Sequence, residues 1–146
     1  MNNVALGIVK HIAKWTLGTF AVLAVALSSL LYSCSYFLCD NEIVTQLPSP
    51  DEKYKAVVFV RDCGATTTWS THVSLIRSWS WVGRDDGGNT FVMDAGDGAP
   101  EGPGRGPEAR VRWISAHEIV IAHHRLAEVF RAEKQVGGVT IRYEDF

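Results

Sequence analysis

Twenty-five consecutive residues without a charged side chain, WTLGTFAVLAVALSSLLYSCSYFLC from Trp15 to Cys39, constrain this chain more than any other feature in it. As a helix rising about 1.5 Å per residue the run reaches roughly 37 Å, against a bilayer hydrocarbon core of about 30 Å. A core helix of a soluble domain usually keeps a polar stripe on its outer side. This run offers only Thr and Ser. It therefore reads as a transmembrane helix or signal anchor over residues 15–39. Trp15 at one end and Tyr32, Tyr36 and Phe37 near the other suit the two membrane–water interfaces, where an aromatic ring keeps its polar edge wet. Lys10 and Lys14 precede the run, and Asp40 and Glu42 follow it. The positive-inside bias then keeps residues 1–14 in the cytoplasm and places residues 40–146 outside.

A second way of tethering the chain competes with the first. Leu31-Tyr32-Ser33-Cys34 resembles a bacterial lipobox, in which the cysteine is lipidated after the leader is removed. Tyr32 is bulkier than the usual occupant of its position, and aromatics continue past Cys34 to Phe37 as a full span would want, so the uncleaved anchor is preferred. Lipidation at Cys34 is the alternative, and membrane lipid is a partner either way. The region after residue 39 holds 12 basic and 16 acidic residues, a net charge of −4, which argues against nucleic acid as a ligand.

Past Asp40 the texture changes to short runs rich in Val, Ile, Thr and aromatics, broken by Gly, Pro and Asp, the pattern of strands and turns. EIVTQL (42–47) and KYKAVVFVRD (53–62) flank PSPDE and read as a β-hairpin. Cys39 and Cys63 each lie twelve residues from Asp51, the middle of that turn. In an antiparallel pair folded about Asp51 they face each other, at Cα separations of about 4.5–5.5 Å that a disulfide accepts. An oxidising compartment favours that bond, and the spacing predicts a Cys39–Cys63 disulfide. Free or palmitoylated thiols and a reactive Cys63 are weaker readings, because no histidine is close in sequence.

WSTHVSLI (69–76) alternates Trp69, Thr71, Val73 and Leu75 against Ser70, His72 and Ser74, as a half-buried strand does. TFVMD, RVRWIS, HEIVIAHH and GVTIRYE add further β-like runs. Residues 127–136 fit either a strand or a helix, and a strand is chosen because the neighbouring runs need pairing partners. Residues 95–109, AGDGAPEGPGRGPEA, carry five glycines and three prolines and read as an exposed, mobile loop and the place for a partner to touch. The loop lacks the Gly-Lys-Ser/Thr ending of a phosphate-binding loop, and Asp94 and Asp97 lack the other oxygen ligands that calcium needs.

His117, His123 and His124, with Glu118, invite a zinc reading, yet position 121 of the HExxH pattern is Ile, and adjacent His123 and His124 point to opposite faces of a strand. No metal or other cofactor is expected. The tryptophans after residue 39 are assigned to the core.

SPDEKYKAVVFVRDCGATT, residues 49–67, is similar to a family of small uncharacterised bacterial envelope proteins, membrane-anchored or lipoprotein-like, that carry a Ser-Pro-Asp-Gly-Lys-Tyr turn, a strand and an Asp/Asn-Cys-Gly-Ala-Thr-Thr sequence. Glu52 stands where that family has the turn glycine, which leaves the turn type open. The resemblance implies a location in the bacterial envelope and no activity.

The fold class expected is mostly β: an N-terminal transmembrane helix followed by a small antiparallel β-sheet sandwich or meander over residues 40–146. The function expected is that of a membrane-tethered binding or accessory module with an envelope protein partner, in an oligomeric state the sequence leaves open, and not an enzyme. A small membrane-anchored immunity or inhibitor protein is an alternative within the same class. An extracytoplasmic hydrolase drawing on Asp62, Cys63, His72 and the late histidines is the rival from another class.

Overall fold

Helix α1 runs from Asn3 to Tyr36 and so begins well before the uncharged run. The structure is a computed structural model that describes residues 3–36, 39–64, 67–84 and 86–146, with the side chains of residues 3–10 and 32–36 outside the description. The most apolar stretch of α1 is His11–Leu31, with a mean hydropathy of 1.5. The hydroxyls in this stretch turn back onto their own helix. Thr16 donates to the carbonyls of Ile12 and Ala13 at 3.0 Å, Thr19 to Thr16 at 2.9 Å and Ser29 to Ala26 at 2.9 Å. The hydroxyls of Thr16, Thr19 and Ser29 are thereby satisfied within the helix, which is how such residues are tolerated in an otherwise apolar helix.

The chain divides into two units between residues 37 and 38. In the second unit the described residues form nine strands: β1 (Asp40–Pro48), β2 (Tyr54–Asp62), β3 (Ser70–Arg77), β4 (Phe91–Asp94), β5 (Ala109–Ser115), β6 (Glu118–His123), β7 (Glu128–Ala132), β8 (Gln135–Val136) and β9 (Val139–Asp145). They make two sheets, β1-β2-β3-β4-β7 and β5-β6-β9-β8. The expected mostly-β domain behind an apolar helix is what the chain forms. Within residues 127–136 there are two strands and no helix, one in each sheet: β7 pairs with β4 while β8 pairs with β9. One ladder departs from a purely antiparallel plan, because β6 and β9 run parallel.

Alternation along the strands places the core. Ala56, Val58, Val73, Leu75, Phe91 and Met93 from the first sheet meet Ile119, Ile121, Val139 and Ile141 from the second, all buried in one cluster. Each large side chain so enclosed contributes about 1.5–3 kcal/mol. The sheets are also joined at their rims, where the Trp113 indole N–H donates to the Leu47 carbonyl at 3.0 Å and the Tyr54 hydroxyl to the Gly137 carbonyl at 2.8 Å.

The SPDEKY turn owes its shape to specific groups. Glu52 N–H donates to the Ser49 carbonyl at 2.9 Å, closing a β-turn with Pro50 and Asp51 at its centre. Ser49, buried at 2% exposure, donates its hydroxyl to Asp51 at 2.8 Å and accepts from Tyr54 N–H at 3.1 Å. That hydroxyl is the main reason the Asp51 carboxyl lies below the usual carboxylate range. Glu52 has φ 56°, the left-handed region that favours glycine, so its side chain sits where a Cβ is unwelcome.

Residues 95–109 are not simply an exposed loop. Ala99, Gly106 and Pro107 are buried, and the Thr71 hydroxyl donates to the Pro107 carbonyl at 2.7 Å. Gly106 lies so close to Thr71 and Val60 that a Cβ there would collide with the Thr71 hydroxyl. The glycines read as a mobile link are, at this point, what lets the backbone press onto the sheet.

Candidate functional site

Register across the first hairpin decides where the cysteines fall. Near the turn Pro48 pairs with Lys55, but an irregularity between Ile43 and Thr45 leaves Val44 as an extra residue. Beyond it Ile43 pairs with Phe59 and Asp40 with Asp62. Cys39 and Cys63 follow immediately and are joined by a disulfide, with Cα atoms 3.9 Å apart. Val44 turns inward against the core and also lies against Gly104. After Cys63, Gly64 N–H donates to the Asp62 carboxylate at 2.8 Å with Gly64 at φ 98°, so the Asp-Cys-Gly sequence is a side-chain-closed turn at the end of β2. The Cys34 side chain lies outside the described residues.

On the face of the first sheet away from the core, Phe59 and His72 stack with ring centroids 5.2 Å apart. Both are buried, although their strand neighbours Val58 and Val73 already fill the core on the other side. The cover is the connection from β3 to β4. Gly88 N–H donates to His72 Nδ1 at 2.8 Å, so the neutral ring carries its proton on Nε2 and donates it to the Ser70 hydroxyl at 2.9 Å. Burial pushes the His72 imidazole down to about 4, and the charges of Arg61 and Arg131 act in the same direction.

Those arginines fasten the same segment. Arg61 donates to the Asp86 carbonyl at 3.0 Å and to Asn41 Oδ1 at 3.1 Å, while Asn41 Nδ2 donates to the carbonyls of Gly83 and Asp86, each at 2.8 Å. Arg131 donates to the Gly88 carbonyl at 2.9 Å, and Arg84 pairs with Asp40 at 3.1 Å. Asn89 completes the attachment by accepting from Leu75 N–H at 2.9 Å and donating to the Leu75 carbonyl at 3.0 Å, as an adjacent strand would. Residues 83, 84, 86, 88 and 89 are thus stitched down through side chains.

The preceding residues are not. Trp79 is 80% exposed and Trp81 78% exposed, against the expectation that the tryptophans fill the core. Trp113 does pack against the core, and Trp69 carries the Arg105 guanidinium 5.2 Å above its ring. The sequence carries no warning of the exception: Ser78-Trp79-Ser80-Trp81 alternates polar and apolar residues as a half-buried strand does, yet the segment is a turn and connection.

The groups that a hydrolase would draw on are dispersed. Cys63 is bonded to Cys39, Asp62 holds Gly64 N–H, and His72 is sealed under Gly88. His123 stacks on Phe91 at 5.3 Å and faces Asp145 at 3.6 Å, and His124 packs edge-on to Phe146. Among the described residues no three His, Cys, Asp or Glu side chains are grouped as a metal site would require. On the outer face of the second sheet the charges are matched in pairs, Arg112 with Glu144 at 2.8 Å and Arg142 with Glu118 at 2.6 Å. A cavity of about 270 Å³ beside the bulge, lined by Val44, Val58, Thr71 and Pro107 among others, has no convergent ionisable groups beyond Glu108. In comparison with known proteins, no family model, no curated protein and no solved structure matches this chain.

Proposed function

We infer that the chain is a single-pass protein of the bacterial cell membrane whose residues 40–146 form an extracytoplasmic binding or accessory module. The observation that carries this reading is the Cys39–Cys63 disulfide directly after an apolar helix. Such a bond persists where the surroundings oxidise thiols, and an apolar helix followed by it is the arrangement of an exported, tethered domain. The order of charge, Lys10 and Lys14 before the helix and Asp40 and Glu42 after it, favours a cytoplasmic N-terminus. The dispersal of the titratable groups, with Cys63 already bonded, supports binding over catalysis. The likeness of residues 49–67 to bacterial envelope proteins supports the compartment.

Intact mass of protein extracted from membranes, taken with and without reductant, tests this reading together with a C-terminal reporter fusion. The expected result is an uncleaved chain, one disulfide and a reporter active outside the cytoplasm. A chain beginning at Cys34 with added acyl groups would replace the anchor by a lipid and keep the domain outside. Reduced, alkylatable Cys63 in native material, or a cytoplasmic reporter, would refute the assignment.

A further inference from the structure

Two indoles exposed almost completely on one short connection are costly to leave in water, and everything around them is fastened. The connection begins at Ser78, whose N–H donates to the Lys53 carbonyl at 3.1 Å, and is pinned again from Gly83 onward through Asn41 and Arg61. Between these points Ser-Trp-Ser-Trp-Val-Gly carries no charge, while the bracketing Arg77 lies over the Tyr54 ring at 4.7 Å and Arg84 pairs with Asp40 at 3.1 Å. An indole ring combines an apolar body with an N–H edge and favours the headgroup level of a bilayer.

Chain length restricts how far this segment can be from lipid. Asn41, which holds Gly83 at 2.8 Å, is five residues beyond the end of α1, a reach of at most roughly 18 Å. Gly83 is two residues from Trp81. The connection that displays the tryptophans is therefore tied to the residues by which the domain hangs from its helix.

We propose that Trp79 and Trp81 form a second, interfacial attachment, seating the extracytoplasmic domain on the phospholipid surface of the bilayer that α1 crosses. The proposal rests on the membrane anchor inferred above. Its occupant is a lipid surface, because the connection is held by Asn41, five residues beyond the apolar helix, and exposed indoles suit the membrane–water interface. The net charge of −4 on residues 40–146 makes the attachment one of indole insertion, not of general attraction to anionic lipid.

The test uses the full chain carrying Trp15→Phe, reconstituted in nanodiscs of phosphatidylcholine and phosphatidylglycerol with or without bromine near the headgroup end of the acyl chains. The expected result is blue-shifted, bromine-quenched tryptophan emission, with the quenched component lost in the Trp79→Ser/Trp81→Ser variant. Transfer from detergent to nanodiscs also lowers acrylamide access to the same component. Trp79 and Trp81 are exposed, so their replacement leaves folding intact, which an unchanged melting temperature and retention of the disulfide would verify. A chain retained in the discs whose bromine quenching is the same with and without these indoles overturns the proposal and spares the anchor. A chain not retained in the discs overturns both.

Discussion

Cys39 and Cys63 are joined one step beyond the Asp40–Asp62 pair, so the disulfide closes the open end of the β1–β2 hairpin while the SPDEKY turn closes the other. A loop of this size, with a sequence separation of 24, is worth about 3 kcal/mol through its effect on the unfolded chain. Reduction, or the Cys39→Ser/Cys63→Ser double substitution, should lower unfolding stability in urea by about that amount. An unchanged midpoint would show that the bond contributes nothing.

Glu52 occupies a left-handed backbone position at φ 56°. Glu52→Gly should therefore raise stability by about 0.5–1 kcal/mol, while a β-branched replacement such as Glu52→Val lowers it. Thermal melts of the two variants give opposite shifts if the turn has this geometry, and shifts of the same sign would contradict it.

His72 is held neutral by burial and by the charges of Arg61 and Arg131, with its pKa lowered from 6.5 to about 4. Because the unfolded chain takes up this proton first, stability is fully present above about pH 6.5 and declines as pH falls through about 4. Protonation also removes the Nδ1 lone pair that accepts from Gly88 N–H. His72→Asn should flatten this part of the pH profile in denaturant titrations and lower stability at neutral pH. A slope that persists in the variant would assign the acid sensitivity to other groups.

Gly106 is pressed against Val60 and Thr71. Gly106→Ala should cost about 1–3 kcal/mol through overpacking, and Gly98→Ala should not collide with anything, although its φ of 108° adds backbone strain. Amide exchange at Thr71 and its strand neighbours should accelerate in the Gly106 variant alone.

Tyr143 donates its hydroxyl to the Glu133 carbonyl at 2.7 Å and is pushed up to about 12 by burial, with the Glu133 charge adding to the effect. Its contribution is present below about pH 10 and lost as pH rises through about 12. Tyr143→Phe should cost about 1 kcal/mol at neutral pH and reduce the loss of stability in base, as followed by circular dichroism.

The hairpin and its crosslink are legible because both depend on neighbours in the sequence: turn residues, β-branched runs and the placement of two cysteines. Even so, the symmetric count about Asp51 succeeds by compensation. The ladder next to the turn is centred between Asp51 and Glu52, and the extra residue at Val44 restores the offset before Cys39 is reached. Bulges of this kind leave no local signature in composition. The parallel pairing of β6 with β9 is not legible either, since apolar alternation reports which face a strand buries and not which strand lies beside it. The cover over Phe59 and His72 escaped the sequence for a related reason. It depends on Asn41, Arg61 and Arg131, which come from three different strands and meet the connection only in the fold.

In the second sheet β9, the last strand in chain order, lies between β6 and β8 rather than at a margin. Ile119 and Ile121 thus lack their neighbours Ile141 and Tyr143 until residues 139–145 have been made and delivered. A growing chain holds an unfinished half of its interior throughout, and stepwise assembly from the front is closed to it. The domain should snap shut late, once its last strand is in place, and a stop codon shortly before Val139 would leave an aggregation-prone remnant instead of a shortened but serviceable domain.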